Sequence, residues 1–282
     1  MKIIDINEKE YPRVLRKIEN PPKKLYVEGD EKILNSNCIA VVGSRKNTKY
    51  GEKWCKKFVK ELVKYDLKIV SGMALGIDWV AHKEAIKEGG KTIAVLPSGL
   101  KNIYPKENIK LYEEIILYGG CVISEYEPYE EAESKKFLER NRIVSGISIG
   151  CLVVEAAYRS GTSVTAKLAK DQKRDVFCIP GSLDNPKSIG TNKLIKDFAK
   201  LVTSPEDIIK NYEFLHKIEL EKPEEKEEEN EILKLIKEDP INIDDIVKLS
   251  NKNIKEIISE ITILELDGKI ERLPGNMYIR GE

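Results

Sequence analysis

Histidine and cysteine are scarce in this chain, two of one and five of the other in 282 residues. His82 and His216 are far apart, and Cys38, Cys55, Cys121, Cys151 and Cys178 form no Cys-x-x-Cys pair. Zinc-ligand spacing is missing, and a disulfide framework needs cysteine at higher density. Four of the five cysteines sit in or beside apolar runs, where buried thiols belong. No stretch reaches the roughly 18 to 20 apolar residues of a membrane span, and the first ten residues turn charged before a signal-like run develops. We therefore expect a soluble, cytoplasmic protein with no membrane association, no metal and no cofactor. A hydrophobic share of 41% is too high for a disordered chain.

Net charge is also absent, with 48 basic side chains against 48 acidic ones, but the balance is not local. The run Glu219–Glu231 carries 8 acids and 2 lysines. After it come 10 acids and 8 bases, which leaves residues 1–218 with an excess of eight positive charges. A run of like charge with almost no apolar side chains cannot pack and behaves as an extended linker. The expected division is a basic body at 1–218, an acidic linker at 219–230 and a C-terminal module at 231–282.

Within the body, short apolar runs alternate with amphipathic stretches, the rhythm of a parallel sheet flanked by helices. Strands are expected at 38–42, 67–70, 92–96, 121–124, 149–154, 175–179 and 201–203. Helices are expected at 50–65, 77–88, 109–118, 134–145 and 163–170. The fold class is α/β, a doubly wound, mostly parallel sheet, in which ligands bind beyond the carboxyl ends of the strands.

The turns leaving those strands carry small, hydroxylated and cationic residues. The first strand runs into Gly43-Ser44-Arg45-Lys46, where glycine lets backbone approach a ligand, the next helix offers unpaired N–H groups and Arg45 offers a fork for phosphate. The second runs into Ser71-Gly72-Met73-Ala74, again opening a helix. A third turn, Arg159-Ser160-Gly161-Thr162, enters a helix that Thr162 or Ser163 could cap. Arg140, Asn141 and Arg142 precede the strand that ends at Glu155. Two residues apart on a helix, the arginines diverge by about 200°, so one can face the crevice while the other pairs with an acid such as Glu139. Neither G-x-G-x-x-G nor a Walker A loop is present, so the expected ligand bears phosphate but is not held in a standard nucleotide fingerprint. Tyr104, Phe137 and Tyr158 are possible stacking residues, expected to be buried.

These motifs resemble a known family. AVVGSR at 40–45, SGMALGID at 71–78, TIAVLPSGL at 92–100, ISEYEP at 123–128, FLERNRIVSG at 137–146, VVEAAYRSGTSVTAKLA at 153–169 and FCIPG at 177–181 occur in the order seen in the DNA-processing protein A (DprA/Smf) family, after a lead-in segment at 1–37 that contains Tyr11-Pro12. The resemblance covers roughly residues 11 to 215. It implies an extended Rossmann-like fold that binds single-stranded DNA as a homodimer. It further implies delivery of that DNA to a RecA-type recombinase in natural transformation or other DNA recombination, without catalytic activity. Carried over by position, the DNA contacts fall at Gly43, Ser44, Arg45, Gly72 to Ala74, Arg140 and Arg142. Many members carry an extra helical domain ahead of the Tyr-Pro segment; Tyr11 lies almost at the first residue, so functions belonging to that domain are not expected here.

The C-terminal module reads as helices at 231–238, 243–249 and 252–266, then a hairpin at 270–273 and 277–280 about Pro274-Gly275-Asn276, a winged-helix arrangement similar to the family's C-terminal module. Its acidic balance, with Lys252 and Lys255 offset by Glu256 and Glu260, favours protein contact over duplex DNA. Two other readings compete. One is a phosphoribohydrolase of the LOG type, whose PGGxGTxxE signature aligns on Arg159-Ser160-Gly161-Thr162 but meets Thr165 where the glutamate belongs. The other is a module that binds a free nucleotide in the same cradle.

Overall fold

In the computed structural model of the chain, the apolar run Cys38–Val42 is a strand with every residue buried, as required of a strand covered by helices on both faces. The structure describes residues 1–215, 231–237, 239–250, 252–266 and 268–280; the expected linker at 219–230 lies outside the described residues. The strands of the main sheet are β1 (Lys2–Asp5), β2 (Lys24–Gly29), β3 (Cys38–Val42), β4 (Lys68–Ser71), β5 (Thr92–Val95), β6 (Cys121–Ser124), β7 (Gly150–Val153), β8 (Asp175–Cys178) and β9 (Lys200–Leu201). Among the described residues they form one nine-stranded sheet in the order β1-β2-β6-β5-β4-β3-β7-β8-β9. Strands β6 through β9 in that order run parallel, and β2 and β1 add an antiparallel edge. That edge comes from the lead-in segment, where no strand is predicted.

From β3 the chain winds outward through β4, β5 and β6, then returns to add β7, β8 and β9 on the other side. The winding reverses between β3 and β7, where Val42 lies opposite Val153. Loops leaving the two strands part there and open a crevice. The helices are α1 (Lys49–Lys64), α2 (Ile77–Lys87), α3 (Ile109–Leu117), α4 (Ser134–Gly146), α5 (Gly161–Asp171), α6 (Ile189–Asp197) and α7 (Glu206–Ile209). Thr48 caps α1 by accepting from the Gly51 amide, and Cys55, Phe58, Val59 and Leu62 bury the stripe that their i, i+3, i+4, i+7 spacing dictates. The period of two along β3 divides the core: Ile39 and Val41 pack with Phe58, Leu62 and Val80 on one face, and Ala40 and Val42 with Ile143, Ile147 and Ala166 on the other. All five cysteines are buried free thiols; burial pushes the Cys38 thiol up to about 12. Among the described residues no helix is long and apolar enough to cross a membrane.

The chain divides into two units, Met1–Glu219 and Leu220–Glu282. The second contains α8 (Glu231–Leu235), β10 (Ile241–Asn242), α9 (Ile243–Ser250), α10 (Ile254–Leu266), β11 (Ile270–Leu273) and β12 (Met277–Arg280). Its three strands pair antiparallel in the order β10-β12-β11 over a core of Ile232, Ile246, Ile257, Ile261, Ile270 and Tyr278. This is a winged helix, with one short strand, β10, that was too brief to show in the sequence pattern.

Candidate nucleic-acid interface

A cavity of about 630 Å³ opens beyond the carboxyl ends of β3, β4 and β7, lined by Gly43, Ser44, Arg45, Gly72, Ala74, Arg140, Asn141 and the turn Ser160-Gly161-Thr162. Local chemistry fixes the loops that make it. Thr162 Oγ1 donates to the Gly43 carbonyl at 3.0 Å, tying the third turn to the first. The Ile77 amide donates to the Ser44 carbonyl at 3.1 Å, tying the second to the first. Gly76, at φ +81°, passes so close beneath that a Cβ would stand 2.2 Å from the Ser44 carbonyl oxygen, so only glycine fits. Ser160 caps α5, whose N-terminus thus faces the cavity.

Arg140 is the floor. At 3% exposure, its guanidinium donates to the Gly72 carbonyl at 2.7 Å and to the Val95 carbonyl. Asp78 also abuts Gly72 and accepts from the amides of Gly72 (3.1 Å) and Ala74 (3.4 Å). Burial raises the Asp78 carboxyl above its usual range, against the opposing pull of Arg140 and those amides. Burial likewise lowers the Arg140 guanidinium to about 10, partly offset by Asp78, so it stays charged at neutral pH. A buried cation thus underlies a cavity that the N-terminus of α5 also faces, a setting for an anion.

Arg45 is exposed at the rim. Its guanidinium carbon stands 4.8 Å from the Phe137 ring centroid, and Phe137 meets Tyr104 edge to face at 5.5 Å and 79°. Tyr104 is 45% exposed. The expectation of buried aromatics fails at Tyr104, and at Tyr158 with 52% exposure; Phe137 is half-buried. All three lie on loops or helix starts at the sheet's rim, where no second layer covers them.

Four predicted site residues stand apart from this group. Arg142 diverges from Arg140 as the helical angle requires, but its partner is Glu125, with Glu139 held instead by Lys135 and the Tyr126 hydroxyl. Arg142 lines a separate cavity of about 390 Å³ with Lys17, Glu19 and Arg174. Ser71 is the last residue of β4 and donates to the Val41 carbonyl at 2.7 Å. Met73 is buried in the core beside Leu96 and Leu111, because its positive φ of 53° turns the side chain inward. Lys46 is exposed beside the rim, where its amide donates to Ser44 Oγ. Sequence reasoning missed Asp78, although a carboxylate in the first turn of a helix signals an N-terminal partner. Glu155, two residues past β7, accepts from the amide and hydroxyl of Thr48. Asn108, which donates to the Met73 carbonyl at 2.8 Å, gave no signal.

The comparisons agree with this fold. The family profile described as DNA recombination-mediator protein A matches residues 2–213, and the DprA winged helix domain matches 219–276. The Smf protein of Escherichia coli is 39% identical over 280 residues, covering 96% of this chain and 75% of the relative. The DNA processing protein DprA of Streptococcus pneumoniae is 43% identical over 204 residues, 72% of each chain. Its solved structure superposes with a TM-score of 0.72 at 42% identity, covering 75% of this chain and 74% of that one. The DNA processing protein A of Helicobacter pylori, a protein with a described single-stranded DNA binding mode, superposes with a TM-score of 0.67 at 31% identity, covering 75% and 95%. This chain, by its profile match and its relatives alike, belongs to the DNA recombination-mediator protein A family.

Proposed function

We propose that the crevice at the β3/β7 divide grips the sugar-phosphate backbone of single-stranded DNA and that the protein hands that strand to a RecA-type recombinase without altering it. The observation that carries the reading is the convergence of three loop turns on one cavity, with Arg45 exposed over Phe137 and Tyr104 at its mouth. Backbone N–H groups and a guanidinium suit phosphate, and exposed rings suit unpaired bases.

A hydrolase reading is weaker. The carboxylate that lines the cavity, Asp78, is buried and spent on two amides, and Thr165, in the position a LOG-type glutamate would take, donates its hydroxyl to the Gly161 carbonyl. Acid–base help at a glycosidic bond has no free agent there. The winged helix supports a protein-contact role: Lys252 pairs with Glu260 at 2.8 Å and Glu231 at 3.7 Å, so it is not a free phosphate ligand. The reading includes a cytoplasmic homodimer.

The test is a titration of labelled oligothymidylate competed by mononucleotide and by duplex. Single strands should win by orders of magnitude. Saturation by the mononucleotide at comparable concentration would favour a nucleotide receptor instead.

A further inference from the structure

The lead-in segment, α4 and the turn between α5 and β8 meet at the second cavity, of about 390 Å³, which shares no lining residue with the crevice. Four cations line it: Lys17 from the lead-in segment, Arg142 from α4, and Lys173 and Arg174 from the turn. Two carboxylates, Glu19 and Asp171, line it as well. Arg142 is paired with Glu125, whereas Lys17, Lys173 and Arg174 have no carboxylate within ion-pair distance among the described residues. Both guanidiniums are held in place with donors unspent. Arg142 gives Nη2 to Glu125, and Arg174 gives Nη2 to the carbonyls of Val14 at 2.9 Å and Gly146 at 3.1 Å. Nη1 of Arg142 and Nε of Arg174 are buried and have no hydrogen-bond partner among the described residues. The same holds for Oε1 of Gln172, whose amide nitrogen donates to the Arg142 carbonyl at 3.0 Å. A buried polar atom left unpaired costs about 1–3 kcal/mol, so three of them on side chains that line one cavity call for a partner.

Charge and size select the partner. Two guanidiniums and two ammonium groups match the oxygens of a doubly charged phosphate, and a volume above about 300 Å³ leaves room for an organic body beside it. Gln172 Oε1 and the carboxylates of Glu19 and Asp171 accept hydrogen bonds, so that body carries donors, which hydroxyls supply. We infer that this cavity is a second ligand site, specific for a phosphate monoester on a hydroxylated body and separate from the crevice that takes the strand. Two sources share that chemistry, a free sugar phosphate and the 5′-phosphate end of a DNA strand. The inference stands apart from the single-strand reading, since neither the residues nor the cavity are shared.

The test is a calorimetric titration of ribose 5-phosphate into the full chain carrying R45A, which weakens the crevice as a competing anion site. The ester should saturate one site per chain, with inorganic phosphate at least about fivefold weaker. The double variant K17A/K173N should fold like the parent, because both lysines are exposed and without ion pairs, and asparagine tolerates the positive φ of 59° at Lys173. Adding it should weaken the ester at least about tenfold, while in the native background it leaves binding of a 5′-hydroxyl oligothymidylate unchanged. R142Q should weaken the ester too, and thermal melts show whether that protein is folded. A 5′-phosphorylated oligothymidylate that outbinds its 5′-hydroxyl twin, with the gain lost in K17A/K173N, assigns the phosphate to a strand end; saturation by ribose 5-phosphate with no such gain assigns it to a free ester. The inference is overturned if neither the ester nor the phosphorylated end binds, if inorganic phosphate binds as tightly as the ester, or if binding disappears with R45A and survives K17A/K173N. Each of those results leaves strand binding in the crevice untouched.

Discussion

Replacing Arg45 by alanine removes an exposed guanidinium that lines the crevice and stands over the Phe137 ring. A hydrogen bond to a charged group contributes about 1.5–3 kcal/mol, so single-strand affinity should fall roughly 10- to 150-fold at low salt. Each neutralised phosphate contributes about 0.7 to the log–log salt slope of single strands, so the slope should shrink by about that amount and a fourfold rise in salt should narrow the gap between variant and parent by about 2.5-fold. Folding should scarcely change: Arg45 is exposed, and loss of its cation–π contact costs about 0.5–1 kcal/mol, a Tm shift of no more than about 4 °C for a unit of this size. R45K should recover the slope but only part of the affinity, because lysine keeps the charge and loses the planar fork that stacks on Phe137. Anisotropy titrations at four or five salt concentrations, beside thermal melts, measure all of this. An R45A protein that binds like the parent with an undiminished slope would refute the assignment of Arg45 to phosphate.

Other outcomes follow from the surrounding contacts. R142A should leave strand affinity within about twofold of the parent, because Arg142 is turned to Glu125, but should cost about 1–2 kcal/mol in denaturant unfolding by stranding that half-buried carboxylate. G72A should destabilise by about 2 kcal/mol or more and weaken binding as well, since its Cβ would stand 2.5 Å from a nitrogen of the Arg140 guanidinium and 2.8 Å from an Asp78 oxygen, on side chains that hydrogen bonds already hold in place; calorimetry and titration together read this. E155A should leave the Thr48 amide unpaired and cost about 1–3 kcal/mol, measured by chemical denaturation. His82 is fully buried with Nδ1 against Thr92 Oγ1 at 2.7 Å, and burial, aided by Arg140, lowers its pKa from 6.5 to about 3. The unfolded chain therefore binds a proton that the native one refuses between those values, and stability should fall by about 1.4 kcal/mol per pH unit as pH drops through that window; H82N should show a shallower fall, and equal slopes would count against a neutral buried imidazole.

Much of this architecture was legible because the parallel strands are short apolar runs buried on both faces. Cys38–Val42 and Cys121–Ser124 match their predicted bounds, and α1 differs by a residue at each end. The antiparallel edge was not legible: KIID and KLYVEG each flank only two or three apolar residues with charged ones, and β1 buries only Ile4. Helix α6 was missed because Gly190, Thr191 and Asn192 are poor helix formers that tertiary packing overrides. In the site, glycine turns and Arg45 could be read because backbone approach and phosphate chemistry constrain residue type locally. The side-chain directions of Arg142, Ser71 and Met73 could not, since each is decided by a partner distant in sequence or by a positive φ. Tyr104 and Tyr158 defeated the ordinary expectation of burial because aromatic residues at a sheet rim lack a covering layer.

Photo-crosslinking of an oligonucleotide carrying a halogenated uracil at each position in turn, with the attached peptides identified by mass spectrometry, tests where the strand lies. Adducts should fall on the segments that hold Arg45, Tyr104 and Phe137. Adducts confined to the winged helix, or to the face of Arg142 and Arg174, would contradict a strand held in the β3/β7 crevice.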